Sequence, residues 1–382
     1  MKNAFEYQNT GRFFAQVAGE MEDLGAAELK EFGVKEIQKA YRGIWFRTDL
    51  AHIYRINLWS RLLNRILAPL ITFDCHSTKY LYTVARKIEW DKFLKPENSL
   101  AIFATVANSK ITHSQYAAQV LKDAVVDYFR ETTGTRPDID RENPDLWLNL
   151  YIEANKARIN LDTSGGSLHR RGYRLETVAA PMQETLAAAV IRISGWKGEV
   201  PLLDPMAGSG TLLAEALLDY CRIPAADKKE TFGFEFLPDF NRDIWTGIRQ
   251  EAARLKRDLP ENLIYGSDID FRAVRAARTN LDSLPGGNRV KLEKQDFRLH
   301  PGIKNAVIVT NPPYGIRLED EAAAALLYKD LGDFLKRKCQ GSTAYIFCGN
   351  RKLIGSLGLK PSMKIPLKNG DLDGRLLKLE LY

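Results

Sequence analysis

The residues that point most directly to chemistry are Thr310 to Gly315, TNPPYG, where an amide is followed by two prolines and an aromatic ring. Proline fixes φ and carries no N–H, so Pro312 and Pro313 remove two donors and leave carbonyl oxygens as acceptors. The Asn311 side-chain oxygen and the Pro312 carbonyl can then accept both hydrogens of an exocyclic NH2. Those bonds draw the nitrogen toward tetrahedral geometry and expose its lone pair to an electrophilic methyl, a stabilisation aimed at the transition state. Tyr314 supplies a ring to stack on a base. A purely structural turn is the competing reading, and three further segments in matching order weigh against it.

The first is LLDPMAGSGTLLAEA (202–216), in which a buried strand ends in Asp204 and the small residues Ala207, Gly208, Ser209 and Gly210 lead into a helix at Thr211. Glycines permit the tight turn and close ligand approach, and the helix N-terminus offers unpaired N–H groups. No third glycine completes GxGxxG, so this segment alone fits a nucleotide-like ligand and a plain turn equally well. The second is YGSDID (265–270). An acid at the end of this strand can accept from a ribose diol, as in dinucleotide folds. Asp268 is the better placed for that role, and Asp270, one residue beyond Ile269, reads as the cap of the next helix. The third is QDF (295–297), where Asp296 can meet an adenine amino group and Phe297 can pack on the ring; a solvated turn is the alternative.

These segments need elements to hold them. From about residue 182 a helix, strand VPLLD, helix TLLAEALLDYC, strand LIYGSD, helix RAVRAARTNLDSL and strand VKLEKQD follow in turn. Strand AVIVTNPP, helix AAALLYKDLGDFLKRK (323–338), strand STAYIFC and a closing hairpin (MKIPLKNG, GRLLKLELY) complete the pattern. Such alternation predicts an α/β, doubly wound sheet covered on both faces. Before it, strands FFAQVA (13–18) and GIWFRT (43–48) flank a helix closed by Gly33, and a helix from Asp49 buries Ile53, Ile56 and Leu58. A second unit is expected near Leu62, with a Ser-capped helix at 77–87, strand SLAIFATVA, helix 114–131 and strands LWLNLYIEA and ARINLDT. Ala117, Val120, Leu121, Ala124 and Val125 keep the i, i+3, i+4 spacing of one buried face. Mixed strands and helices without a βαβ rhythm predict α+β modules. The boundary falls in DTSGGSLHRRGYRLETVAAP (162–181), rich in Gly, Ser and Arg.

The 382 residues suggest two or three domains, and 45% hydrophobic with 27% charged residues is an ordinary globular balance. No apolar run approaches the ~20 residues needed to span a bilayer. The N-terminus lacks an h-region and cleavage site, so a cytoplasmic location is expected. The four scattered cysteines read as buried thiols, and five scattered histidines give no metal-ligand spacing. A net charge of +7 and a pI near 9.0 are compatible with a polyanionic partner. Between Lys156 and Arg174 five basic residues face the single acid Asp162.

Together, DPMAGSGT, GSDID, QDF and NPPYG resemble the class I amino-methyltransferases. The resemblance implies a Rossmann-like, seven-stranded domain with S-adenosylmethionine as cofactor. It implies cofactor contacts from Asp204, the loop Ala207 to Thr211, Asp268 and Ile269. It also places Asp296 and Phe297 at the adenine, and Asn311 to Tyr314 as the catalytic motif, with Asn311 also touching the cofactor. LHRRGYR (168–174) and APMQETLAAAVIRISGW (180–196) are similar to the THUMP-containing 23S ribosomal RNA guanine-N2 methyltransferases, across essentially the whole chain. That similarity implies a ferredoxin-like region (1–60), a THUMP RNA-binding domain (61–163), a basic connector (164–181) and a catalytic domain (182–382). In it Pro181 and Glu184 line the methionine end of the cofactor. With no second methyltransferase domain after residue 382, single-activity members are the expected match.

The connector then gains a role, in which Arg170, Arg171 and Arg174 clamp phosphates beside His169 while Tyr173 stacks; an ordinary solvated linker is the alternative. The expected reaction is methyl transfer to the N2 amino group of a guanine in RNA, ribosomal RNA foremost, with the base exposed or flipped beside NPPY and no metal involved. Positioning of the two reactants would contribute roughly 7–11 kcal/mol. A transfer-RNA guanine methyltransferase shares the THUMP arrangement. An adenine-N6 DNA methyltransferase would need a helix-turn-helix or zinc module that the N-terminal half lacks. A protein-glutamine methyltransferase would carry a small helical N-terminal domain. The intact motifs argue against an inactive RNA-binding module.

Overall fold

The computed structural model describes residues 5–178, 181–314 and 318–382, with only the backbone described at 318–320. Gly315 of the TNPPYG segment and Ala179 and Ala180 of the connector lie outside the described residues. The chain divides into two compact units, one over Met1–Val17, Gly25–Leu168 and Lys229–Arg249, the other over Ala18–Leu24, His169–Lys228 and Gln250–Tyr382.

The first unit is built on α1 (Glu6–Thr10), β1 (Arg12–Val17), α2 (Glu22–Glu31), β2 (Lys35–Ala40), β3 (Gly43–Arg47) and α3 (Leu50–Trp59). Then follow β4 (Leu63–Asp74), α4 (Thr78–Ala85), β5 (Ser99–Ala107), α5 (Ser114–Thr133), β6 (Asp138–Ile139), β7 (Leu146–Glu153) and β8 (Lys156–Asp162). Local signals act as expected. Asp49 caps α3 by accepting from His52 N, and Ser77 caps α4 by accepting from Tyr80 N. The apolar stripe of α5 is buried at all five predicted positions. Strand β2 was not anticipated: its KEIQKA sequence has no apolar alternation because it is an exposed edge strand paired only with β3.

The two modules expected to part near Leu62 share one sheet, ordered β2-β3-β1-β4-β8-β7-β5-β6. The twelve-residue β4 joins them, pairing with β1 on one side and β8 on the other. Its entry is fixed by the buried Glu28 of α2, which accepts from Ser60 Oγ (2.6 Å), Arg61 N (2.9 Å) and Leu62 N (3.3 Å). Residues 229–249, for which the sequence offered no element, also pack into this unit. Phe234, Phe240 and Trp245 surround Tyr54, with the nearest ring, Phe234, at 4.5 Å.

The second unit contains α6 (Glu184–Ser194), β9 (Leu202–Asp204), α7 (Thr211–Tyr220) and the C-terminal end of α8 (Arg242–Leu255). Then come β10 (Ile264–Asp268), α9 (Phe271–Asp282), β11 (Lys291–Lys294), β12 (Val307–Thr310), α10 (Leu318–Lys338), β13 (Thr343–Cys348), β14 (Met363–Asn369) and β15 (Leu372–Glu380). Its seven strands run β11-β10-β9-β12-β13-β15-β14, parallel except that β15 is antiparallel to both β13 and β14. Helix α10 starts five residues before the expected Ala323. The order in which successive strands are added reverses between β9 and β12, the switch point at which α/β sheets open a crevice beyond their strand ends. Among the described residues the four cysteines are free and buried, and no helix is long and apolar enough to cross a membrane.

Replacing Glu28 with Ala leaves the buried donors at the head of β4 without their acceptor. We expect a loss of about 3 kcal/mol in chemical denaturation; an unchanged midpoint would remove Glu28 from this role.

Candidate active site

A cavity of about 780 Å³ lies at the switch point, lined by the loop after β9, the end of β10, the turn after β11 and the motif after β12. Asp204 ends β9 and is fully buried. One of its oxygens, Oδ1, accepts from Thr310 Oγ1 (2.9 Å) and Met206 N (3.1 Å). Burial pushes its carboxyl up to about 7, opposed by those two hydrogen bonds and reinforced by the nearby charge of Asp268.

The loop turns through two left-handed glycines, Gly208 (φ +53) and Gly210 (φ +80). Gly210 is the N-cap of α7 and offers no side-chain cap, so the first-turn N–H groups have no side-chain acceptor there. A Cβ at Gly210 would stand 3.1 Å from Ala277 Cβ, so the residue also lets the loop close on α9. Ala207, Gly208, Ser209 and Thr211 line the cavity, whereas Gly210 shapes the turn without lining it. Asp268 lines it as well, with Oδ2 accepting from Gly208 N and Oδ1 from Asp270 N, both at 2.9 Å. Asp270 caps α9 by accepting from Arg272 N. Asp268 and Ile269 thus line the cavity, and Asp270 serves the helix.

Asp296 and Phe297 line the opposite wall. Both Asp296 oxygens are held by Arg298, through its main-chain N (3.0 Å) and its guanidinium (2.9 Å), and Arg298 also bonds Asp330 (2.7 Å). The sequence reading missed Arg298, although QDFR places it one residue further on. Phe297 is buried edge-to-face on Phe334, 5.8 Å away.

Asn311, Pro312, Pro313 and Tyr314 all line the same cavity. The Asn311 Oδ1 atom is buried and has no hydrogen-bond partner among the described residues. Leaving such an acceptor unsatisfied costs roughly 1–3 kcal/mol, a cost a ligand N–H would remove. The Tyr314 ring is buried and packs on Phe347 at 6.5 Å. Gly349 makes room for it, since a Cβ there would lie 2.8 Å from the ring. Ala323, Ala324 and Leu327 of α10 close the wall beside the motif; their helical spacing was legible, but nothing in it marked this face as the one toward the cavity.

The connector departs from expectation. Arg171 is buried, its Nε 3.3 Å from Glu215 Oε1, and the buried Tyr173 hydroxyl donates to the same oxygen at 3.1 Å. Neither presents a surface to phosphates or bases, so the clamp and stacking roles given to them are withdrawn. An arginine buried against a glutamate 44 positions later has the same sequence signature as a surface one. Arg174 NH2 donates to Met182 O (2.6 Å) and Thr211 Oγ1 (3.1 Å) and lies 3.5 Å from Glu184, so it ties the connector to the glycine loop. Asn280 does the same from α9, accepting from Leu175 N and Glu176 N and donating to Glu176 O and Ser209 O. Val178, Pro181 and Met182 consequently form part of the cavity wall. Glu184 does not line it. The residue is buried, burial raises its carboxyl above the usual range and Arg174 opposes that rise. His169 is half-buried and Arg170 exposed.

A seven-stranded sheet closed by an antiparallel hairpin, with an acid-tipped glycine loop facing an Asn-Pro-Pro-Tyr motif across the switch point, defines a Rossmann-like class I methyltransferase domain. The chain belongs to the RMKL-like methyltransferase family, whose methyltransferase domain matches residues 171–378. Residues 12–67 match the RlmL ferredoxin-like domain and residues 75–162 the THUMP domain. The first of these matches runs into β4, past the division at residue 60 read from the sequence. A Synechocystis protein named as an RNA methyltransferase is 39% identical over 374 residues, covering 98% of this chain and 97% of that protein. The ribosomal RNA large subunit methyltransferase K/L of Syntrophotalea carbinolica is 38% identical over 382 residues, 97% of this chain and 53% of the relative. The chain therefore spans about half the length of the K/L relatives it matches. The crystal structure of SMU.472, named as a methyltransferase and complexed with SAH, superposes with a TM-score of 0.84 at 26% identity, covering 100% of this chain and 99% of that one.

Because the folded-state value of Asp204 lies above its ordinary 3.8, the folded chain binds more protons than the unfolded chain between about 4 and 7. Its contribution to stability is therefore greatest below that window and declines as pH rises through it. Thermal unfolding of Asp204→Asn against the parent should show the variant gaining relative stability from pH 5 to pH 8; a difference that does not move with pH would contradict this.

Proposed function

We propose that the chain transfers a methyl group from S-adenosylmethionine to the exocyclic N2 amino group of a guanine in RNA, with large-subunit ribosomal RNA as the substrate. The observation that carries this reading is the buried, unpartnered Asn311 Oδ1 in the wall of a cavity that Asp204, Gly208 and Asp268 also line.

The cavity residues suit the cofactor. Asp268 keeps lone pairs beyond its two main-chain bonds for a ribose diol. Asp204, whose carboxyl lines the cavity, gives a hydrogen-bond acceptor for an ammonium, and Phe297 an apolar surface for a base. S-adenosylmethionine, when bound, supplies a methyl carbon on a positively charged sulfur. The rest falls to this chain. Asn311 Oδ1 accepts an N–H of the target amine, Pro312 and Pro313 keep main-chain donors away from it, and Tyr314 offers a ring against the base plane. Arg174 and Asn280 hold the glycine loop against the connector, so the cofactor side need not reorganise during the reaction. RNA as the substrate class is supported by the THUMP match and by the names of the relatives.

Asn311→Ala separates binding from chemistry. Cofactor affinity, measured by calorimetry, should stay within about threefold, while methyl transfer to RNA falls by about 10²-fold or more, the scale of losing one positioned polar group. Wild-type turnover in the variant would overturn the assignment of Asn311, and undermethylated transfer RNA accepting methyl in place of ribosomal RNA would overturn the substrate.

A further inference from the structure

We infer that the open face of the eight-stranded sheet around Trp45 binds single-stranded RNA, stacking bases on Trp45 and Phe14 and holding phosphates with Arg12 and Arg158. This rests on the RNA reading above and names a docking surface for it.

The alternation along β1 and β3 divides the sheet into two faces. Phe13, Ala15, Ile44 and Phe46 are buried, while Arg12, Phe14, Trp45 and Arg47 are partly or fully exposed. Register places Trp45 opposite Phe14 and Arg47 opposite Arg12, so these four share the open face. The Phe14 ring lies 4.9 Å from Trp45, and its tip occupies the space over Gly43, where any Cβ would come within 2.0 Å of it.

Two guanidinium groups meet this indole. Arg12 stands 5.2 Å from the Trp45 ring, and Arg158, reaching from β8 three strands away, stands 4.4 Å from it. Neither arginine has an ion-pair partner among the described residues. Arg158 Nε donates to Thr72 Oγ1 (3.1 Å), which in turn donates to Glu6 Oε2 (2.6 Å), so Arg158 meets that carboxylate through the threonine hydroxyl and not in a direct ion pair. Burial disfavours the Arg158 cation and Arg12 adds like-charge repulsion, against attraction from Glu6 and Glu153. Elsewhere on the sheet Arg65 makes a comparable contact, 4.4 Å from Phe103 and 5.1 Å from Trp147, but there the buried Asp162 neutralises it. The Trp45 cluster lacks that carboxylate.

Cations gathered on half-buried rings, with Arg12 and Arg158 making no direct ion pair among the described residues, favour a polyanion that also carries planar apolar groups. Single-stranded RNA has both, since phosphates suit the arginines and unstacked bases suit the rings; duplex RNA keeps its bases stacked inside.

The test uses the full chain and a short fluorescein-labelled single-stranded RNA, followed by anisotropy over a salt series. Arg12 is exposed, so Arg12→Glu should fold; it should weaken binding roughly tenfold and reduce the slope of log affinity against log salt by about 1. Trp45→Ala should weaken binding by a similar factor without changing that slope, and Trp45→Phe should restore most of it. Arg337→Glu, exposed in the other unit, should bind like the parent. Variants that retain parental affinity and salt slope, or parental preference for duplex over single strand, would overturn the inference. A parent chain that methylates RNA while these variants match its affinity sinks this surface alone; a parent that neither binds nor methylates RNA sinks the functional reading first.

Discussion

The hydrogen bond from Thr310 Oγ1 to Asp204 Oδ1 is the contact on which the site depends. It joins the last residue of β12 to the last residue of β9, two parallel neighbours whose register sets Val307 beside Leu202 and Ile308 beside Leu203. The glycine loop leaves from one strand end and the Asn-Pro-Pro-Tyr motif from the other. Both side chains are fully buried, so the bond forms in a medium where it is stronger than in water and where its loss would be costly. A buried acid with a raised proton affinity is the consequence of putting that tie inside the sheet.

Around this contact a second layer holds the walls. Arg174 and Asn280 bind the connector to the glycine loop, and the Arg171–Glu215–Tyr173 cluster anchors the same connector to α7. The connector is thus part of the cavity wall, which explains why it carries arginines without exposing most of them. Small residues act where close approach is needed. Gly210 lets the loop close on α9, and Gly349 admits the Tyr314 ring.

Much of this was legible because chemistry restricts residue type. Asn311, Asp204 and Asp268 stand at strand ends, where periodicity already fixes position, and all three line one cavity. Apolar stripes gave most of the helices and strands for the same reason. Strand β2 escaped because it is an exposed edge; helix α8 was passed over although Trp245, Ile248 and Ala252 keep a helical spacing and are buried, and the residues just before it pack through aromatic rings around Tyr54. The roles of Arg171 and Tyr173 were misread because a buried ion pair and a solvent-facing cation look alike until the distant glutamate is placed. Arg298 was passed over because its purpose, orienting Asp296, exists only in three dimensions.

The first unit adds a different principle, a continuous sheet in which β4 serves both N-terminal modules. The most direct test of the whole account is the chemical identity of the product. Purified chain, methyl-labelled S-adenosylmethionine and unmodified RNA are incubated, and the RNA is digested to nucleosides for mass spectrometry. Label recovered as N2-methylguanosine is the predicted result. Label recovered as N6-methyladenosine, or no label from a chain that demonstrably binds the cofactor, would contradict it.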